Sequence, residues 1–300
     1  MALRRHVYNL SDFFLPAEYK SADVAIVYLD GDFIEAGIYK AFGELRKFYF
    51  STKLPIFVSS GVREGAWEKL SNFDPINGIV GHECVNELIA DRLLTVLGIE
   101  HIHYQLIHAD IEVQGKVLET YLCASEDFKE PGEDKMALDV FYELERREGE
   151  TPLEFCVRNG WSEYIYKMLV VDFLILNRDR HGANIEVLRN KRKKSIRLAP
   201  IFDNGLSLLF NCHDEKAVRA FDVMQDRPIQ CFVGSRSAQE NLKLIPVPEQ
   251  PMLKSLRSSD REHILGGLEG VLPQFTQDKI WKMIEQRWRY YENFCNQRRA

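Results

Sequence analysis

The stretch Asp172-Phe-Leu-Ile-Leu-Asn-Arg-Asp179-Arg-His181-Gly-Ala-Asn184, followed further on by Ala199-Pro-Ile-Phe-Asp203-Asn204-Gly205, decides how this chain is read. Residues 162–176 are apolar nearly all round, which predicts a buried helix. A tight polar loop follows it, then β-prone runs at 184–188 and 195–198 on either side of the basic run 189–194. These predict a short hairpin with a solvated tip, the alternative being a patch for a polyanion. A second polar loop then carries Asp203. Phosphoryl transfer asks for this kind of set: one carboxylate to orient or deprotonate an acceptor hydroxyl, and hard oxygen ligands to hold Mg²⁺ on phosphates. Asp179 is the expected acceptor-side base, and Asn184 and Asp203 the expected metal ligands. A plainer reading has Asp179, Arg180 and His181 capping the buried helix and satisfying one another. His181 is expected to orient the loop backbone by hydrogen bonding, with proton transfer as the alternative. Asp172, a charge inside an apolar helix, needs a partner, and is expected to brace the loop by accepting hydrogen bonds.

Upstream, residues 24–29 and 33–39 are β-prone around Asp30-Gly31-Asp32 and predict a hairpin. A second β region covers 55–59 and 66–71, with Ser59-Ser60-Gly61-Val62-Arg63-Glu64-Gly65 between them. The small residues Ser60 and Gly61 would let backbone N–H groups approach phosphates, although an ordinary hairpin connection explains them equally. Lys69 and, as the alternative, Arg63 are the candidate phosphate-binding cations. Val85, Leu88, Ile89, Leu93, Val96 and Leu97 form one stripe, which predicts a helix over 83–97 ended by Gly98. Residues 104–113 and 116–123 read as strands joined at Gln114-Gly115.

The acidic, turn-rich run 126–134 is the expected crossing point between a first half, 1–125, and a second, 126–300. Helices are expected at 135–146, after the capping box Thr151-Pro152-Leu153-Glu154, after a second box at Ser259 and Glu262, and over 278–298. The last carries Ile280, Trp281, Ile284, Trp288, Tyr291 and Cys295 on one face, read as core. This implies an α+β chain with a β-rich first lobe and a mostly helical second lobe. The role of residues 1–54 is open. Ser235-Arg236-Ser237 reads as a surface loop, with a regulatory phosphosite as the alternative. His101, His103 and His108 are read as structural or solvent-facing, with a metal site as the alternative, because no cysteine or carboxylate arrangement completes such a site around them.

Three hundred residues with 45% hydrophobic and 28% charged side chains suit a globular chain of two lobes. A net charge of −6 argues against nucleic acid as the main partner. The longest apolar run, 164–176, carries Lys167 and Asp172 and is too short to span a bilayer, so no membrane association is expected. The six cysteines contain no C-x-x-C pair, which suits reduced thiols and a cytoplasmic setting.

Asp179-x-His181-x-x-Asn184, a hairpin, then Ala199-Pro-x-x-Asp203 resembles the C-terminal motif pair of the HipA-like kinase family. Phosphoinositide kinases carry a related Asp-Arg-His-x-x-Asn loop. Asn86-Glu87-Leu-Ile-Ala-Asp-Arg-Leu-Leu-Thr-Val-Leu-Gly98-Ile resembles that family's Asn-Glu helix, so the likeness covers roughly residues 67–210. It implies a two-lobed kinase-like fold using ATP and Mg²⁺, with Glu87 pairing the ATP-binding lysine and Leu122-Cys123-Ala124 meeting adenine. It further implies transfer to a protein serine or threonine, a bacterial source and an antitoxin-type protein partner. A pseudokinase scaffold and a small-molecule phosphotransferase stand as alternatives. Glu68-Lys69-Leu70 is less apolar than the strand that usually presents this lysine.

Overall fold

The computed structural model describes residues 82–113, 116–126 and 128–299 and, further upstream, the backbone of 5–9, 25–27, 56–58, 66–70, 73–74 and 79–80. The chain is mixed α and β and divides into two compact units, one of Met1–Leu88 with Ile102–Phe128, the other of Ile89–His101 with Lys129–Ala300.

The first unit holds strands β1 (Arg5–Asn9), β2 (Ala25–Val27), β3 (Ile56–Val58), β4 (Ala66–Leu70), β5 (Phe73–Asp74), β6 (Ile79–Val80), β7 (Tyr104–Val113) and β8 (Lys116–Glu126). Its principal sheet runs β1-β7-β8-β4. The expected pair at 104–113 and 116–123 forms an antiparallel hairpin from Tyr104 opposite Ser125 to Val113 opposite Lys116, and its second strand runs on to Glu126. The strand expected at 24–29 is present as Ala25–Val27, but it pairs in parallel with Ile56–Val58. The hairpin partner expected at 33–39 lies outside the described residues, as does the loop carrying Ser60, Gly61 and Arg63.

Helix α1 spans Glu83–Leu97 as the apolar stripe predicts. Cys84, Ala90 and Leu94 are buried beside the stripe residues, so the helix is enclosed on more than one face. Gly98 follows with φ +72°, and the N–H of Ile99 closes back on the carbonyl of Leu94 at 2.9 Å. That left-handed C-terminal turn is one a Cβ disfavours, which is why glycine stands there.

In the second unit, β9 (Glu133–Ala137) is followed by α2 (Leu138–Glu145), α3 (Pro152–Arg158) and α4 (Ser162–Ile175). The helix expected from residue 135 therefore starts later. Residues 133–137 pair antiparallel with β11 (Glu186–Asn190), after the short β10 (Asp179–Arg180), and the ladder overrides their helical propensity. β12 (Ser195–Leu198) completes a three-stranded sheet of order β12-β11-β9. Its basic tip and β12 are met by β9 and the residues just before it: Lys191 lies 3.3 Å from Asp134, Lys193 2.8 Å from Glu130 and Arg197 2.8 Å from Glu133.

The box at α3 is complete, with Thr151 Oγ1 accepting from the Glu154 N–H and Glu154 accepting from the Thr151 N–H. α4 is the buried centre of this unit, with every residue from Met168 to Ile175 buried. Beyond it come α5 (Glu215–Ala220), β13 (Gln230–Cys231), α6 (Ala238–Asn241), α7 (Asp260–Leu265) and α8 (Gln274–Arg299). The box expected at Ser259 does not form: Ser259 is in helical conformation without a side-chain cap, and Asp260 instead accepts from the Arg257 N–H.

Ile280, Ile284, Trp288, Tyr291 and Cys295 of α8 are core as expected, whereas Trp281 is half-buried. Between them Arg287, 1% exposed, donates to the carbonyls of Val223, Phe173 and Gln225. Burial lowers its pKa to about 10, against the opposing pull of the Asp226 and Asp222 carboxylates. Residues 235–237 form a built turn, in which Ser237 caps α6 through the Glu240 N–H and Ser235 Oγ bonds Asn241.

Candidate active site

The polar loop after α4 begins where the helix stops being helical. Leu176 adopts φ +51°, a left-handed cap that turns the chain sharply into Asn177. From Asn177 on, each polar side chain has a defined task. Asn177 Nδ2 donates to Asp172 Oδ1 at 3.1 Å, while its Oδ1 accepts the Asp179 N–H at 3.1 Å. Asp172, read from sequence as a brace, thus holds the loop from one turn inside the helix.

The second loop is sewn to the first through its backbone. The Arg178 N–H donates to the Leu206 carbonyl at 2.9 Å, and the Leu208 N–H to the Ile175 carbonyl. Both Asp203 (φ +56°) and Leu208 (φ +53°) are left-handed, like Leu176. Strained non-glycine backbone of this kind persists only where the surroundings over-determine it.

Arg180 supplies that determination. It is fully buried and lies between the loops. Its Nε and Nη2 grip Asp172 at 2.9–3.2 Å. Nη1 donates to the Phe202 carbonyl at 2.6 Å and reaches the Asn184 carbonyl at 3.4 Å, and Nη2 also donates to Asn204 Oδ1 at 2.7 Å. Burial works against its charge, but the Asp172 carboxylate more than offsets this and its pKa is raised.

Asn184 Nδ2 donates to the Asp179 carbonyl at 2.7 Å, which commits the amide nitrogen and leaves Oδ1 as the end that could ligate a cation. With the Asp203 carboxylate this is an all-oxygen donor pair, the kind Mg²⁺ takes. The Asn184 and Phe202 carbonyls are both reached by the same Arg180 nitrogen, so the segments carrying Asn184 and Asp203 are held beside one another. Asp179 keeps its side chain 22% exposed, with His181 Nε2 3.7 Å from its Oδ1. His181 Nδ1 accepts the Ala183 N–H at 3.2 Å and so caps the turn Gly182–Asn184. A neutral ring bonded this way carries its proton on Nε2, the edge facing Asp179.

Gly182 lies against the start of α2, where a Cβ would sit 2.5 Å from Asp139 Cβ. The Leu138 N–H donates to the Ile185 carbonyl at 2.8 Å across the same contact.

In the first unit, β4 pairs with β8 so that Lys69 stands opposite Cys123 and Leu70 opposite Leu122. The candidate phosphate cation and the segment expected to meet adenine are thus neighbours in one sheet. Cys123 is buried and Glu87, on α1, is fully buried. The side chains of Lys69 and Leu122 lie outside the described residues. His101 does have a carboxylate beside it, contrary to the sequence reading: its Nε2 lies 2.7 Å from Asp91 Oδ1, and its Nδ1 2.6 Å from the Ile99 carbonyl. Helical spacing from Asp91 to Thr95, which also touches His101, was the missed signal.

Sequence reasoning passed over Asn177, Asn204 and Gly182 as participants, and gave Arg180 only a part in capping the helix with Asp179 and His181, whereas it pairs with Asp172 and reaches the second loop. The clue for Arg180 was Asp172 itself, a buried carboxylate that requires a cation within reach.

No protein-family model matches the chain. Serine/threonine-protein kinase CtkA of Helicobacter pylori (strain J99) is 26% identical over 162 residues, 53% of this chain and 46% of that protein, so the match spans less than half of the kinase. The crystal structure of a Helicobacter pylori proinflammatory kinase CtkA superposes with a TM-score of 0.49 at 16% identity, over 74% of this chain and 83% of that one. HipA of Shewanella oneidensis MR-1, solved with HipB and operator DNA, gives 0.35 at 15% identity over 75% of this chain and 51% of that one. The sequence similarity to a serine/threonine kinase supports the resemblance that the motifs express.

Proposed function

We propose that this chain is an ATP- and Mg²⁺-dependent protein kinase that transfers the γ-phosphate to a serine or threonine hydroxyl. The reading is carried by the loop pair, in which a partly open Asp179 carboxylate sits beside an Asn184 amide with its oxygen free to ligate, on a loop sewn to the one bearing Asp203. Similarity to a serine/threonine kinase adds support for the acceptor class.

In this reading Asp179 accepts a hydrogen bond from the acceptor hydroxyl and aims its oxygen at the γ-phosphorus. As the new O–P bond forms, the bond to the β–γ bridging oxygen breaks and ADP leaves with those electrons, while the hydroxyl proton passes to Asp179. Asn184 Oδ1 and the Asp203 carboxylate would hold Mg²⁺, which would supply charge neutralisation to the phosphates. His181 is a positioning residue, its Nε2–H directed at Asp179 and its Nδ1 fixed to the turn. Lys69, with Glu87 as its ion-pair partner, is the proposed phosphate cation, Arg63 being the second candidate. Cys123 and Leu122 are proposed to line the adenine side. An antitoxin-type protein partner enters through the motif resemblance.

The test is incubation with γ-³²P-ATP and Mg²⁺, with and without lysate, for wild type and Asp179→Ala. Labelled protein that falls by about 10²-fold or more in the variant, the usual loss for a removed general base, is expected. Label confined to small molecules would make the chain a small-molecule phosphotransferase. ATP·Mg²⁺ binding without any transfer would make it a pseudokinase.

A further inference from the structure

Arg180 is flanked by the motif's Asp179 and His181 and is fully buried. Its contacts single it out. It does not touch only the loop it belongs to, because it grips both neighbours of Asp203, the Phe202 carbonyl at 2.6 Å and the Asn204 side chain at 2.7 Å. Between those two grips Asp203 is held at φ +56°, in the left-handed region that non-glycine residues seldom occupy. An unclamped Asp203 would relax toward extended or right-handed backbone and swing its carboxylate away. The third grip, at 3.4 Å, is on the Asn184 carbonyl, so one planar guanidinium registers both ligand segments against each other. Asp172 anchors the whole clamp from α4.

We propose that Arg180 is a positioning residue that sets the metal affinity of the site by holding Asp203 in its left-handed conformation and in register with Asn184. The inference rests on the kinase reading given above. A lysine cannot reproduce the clamp, because it lacks the fixed fork that reaches four acceptors in one plane. Outer partners that orient metal ligands typically change affinity about 10- to 100-fold when lost. Arg180 is fully buried and its side-chain hydrogen bonds go to Asp172, Asn184, Phe202 and Asn204, so binding of the nucleotide base and ribose is expected to be unchanged.

The experiment measures Mn²⁺ binding, by the loss of the free-ion electron paramagnetic resonance signal, in the presence of a non-hydrolysable ATP analogue. Wild type, Arg180→Lys and Asn204→Ala are compared after circular dichroism has shown each to be folded. Asn204→Ala removes one grip without stranding a buried charge, so it reports even where Arg180→Lys does not fold. The expected result is an Mn²⁺ midpoint raised about 10-fold or more in the lysine variant and several-fold in Asn204→Ala. Affinity for the analogue in EDTA should stay within about twofold of wild type, since no metal-free contact has changed. Variants that bind Mn²⁺ like wild type overturn the proposal. Equal losses of Mn²⁺ and metal-free nucleotide affinity also overturn it, since they mark general disorder. Wild type that holds no Mn²⁺ with the analogue overturns the kinase reading itself.

Discussion

Replacing Gly182 with alanine should disable the loop while leaving the protein folded. The added methyl carbon would sit 2.5 Å from Asp139 Cβ and 2.9 Å from the Asp139 backbone nitrogen. Carbon atoms in ordinary contact stand about 3.5–4.0 Å apart, so loop and helix start must separate by roughly 1 Å. The nearest obstacles are a Cβ and main chain, which cannot swing aside as a side-chain tip would. Overpacking of this size costs about 1–3 kcal/mol, and alanine returns roughly 0.4–1 kcal/mol by restricting the unfolded chain. The net loss of about 1–2 kcal/mol is small beside a typical domain stability of about 5–15 kcal/mol. Phosphoryl transfer is more sensitive, since a 1 Å misplacement of catalytic groups costs about 10²-fold. Single-turnover transfer from γ-³²P-ATP, alongside urea denaturation, separates the two effects. The exposed Gly270, whose added Cβ meets nothing within 4 Å, is the control and should change stability by no more than about 0.5 kcal/mol. A Gly182→Ala protein with wild-type rate and stability would show that the close approach to α2 has no bearing on the loop.

Asp172→Ala leaves the fully buried Arg180 without its carboxylate and should lose about 3–5 kcal/mol by urea denaturation. Adding Arg180→Met should restore most of that stability but no transfer, because replacing both members of a buried pair is often neutral; a double variant no more stable than the single one would contradict the pairing. Cys156 and Cys231, their thiols pushed up to about 12 chiefly by burial, should resist alkylation by iodoacetamide at pH 8 until urea unfolds the chain, and rapid native labelling would contradict this. The Arg158 side chain, foremost, and the Arg147 N–H hold Glu150 at about 2, so the bond from Arg158 supports α3 above the ordinary carboxylate pKa and is lost as pH falls from about 4.5 toward about 2. Glu150→Gln should flatten that part of the acid transition followed by circular dichroism, and an unchanged transition would remove the pair from the account.

Elements that depend on one period or one cap were legible in the sequence. α1 and its glycine stop, the Thr151 box, the apolar α4 and the hairpin over the basic tip all carry their cause within a few residues. The start of α2 was not legible, because whether 133–137 become strand is decided by β11, some fifty residues later. The parallel pairing of β2 with β3 likewise depends on a partner that local patterning does not name. At Ser259 the motif was present, but Asp260 met the Arg257 N–H instead, a competition between neighbouring carboxylate and hydroxyl. Within the site, Asp179, Asn184 and Asp203 stood out as side chains that could do chemistry. Arg180 did not, because its role is visible only when the carbonyls of Asn184 and Phe202 are brought to one nitrogen.

Arg287 carries a final consequence. Its three carbonyl partners include Phe173, the residue immediately after Asp172, so α8 fastens the end of the helix whose Asp172 braces the polar loop. A nascent chain that has emerged only as far as α7 would have those carbonyls unanswered and that helix end loose. Arg287→Ala, which touches no residue of the polar loops, should therefore loosen the polar loop from behind through the released Phe173 carbonyl.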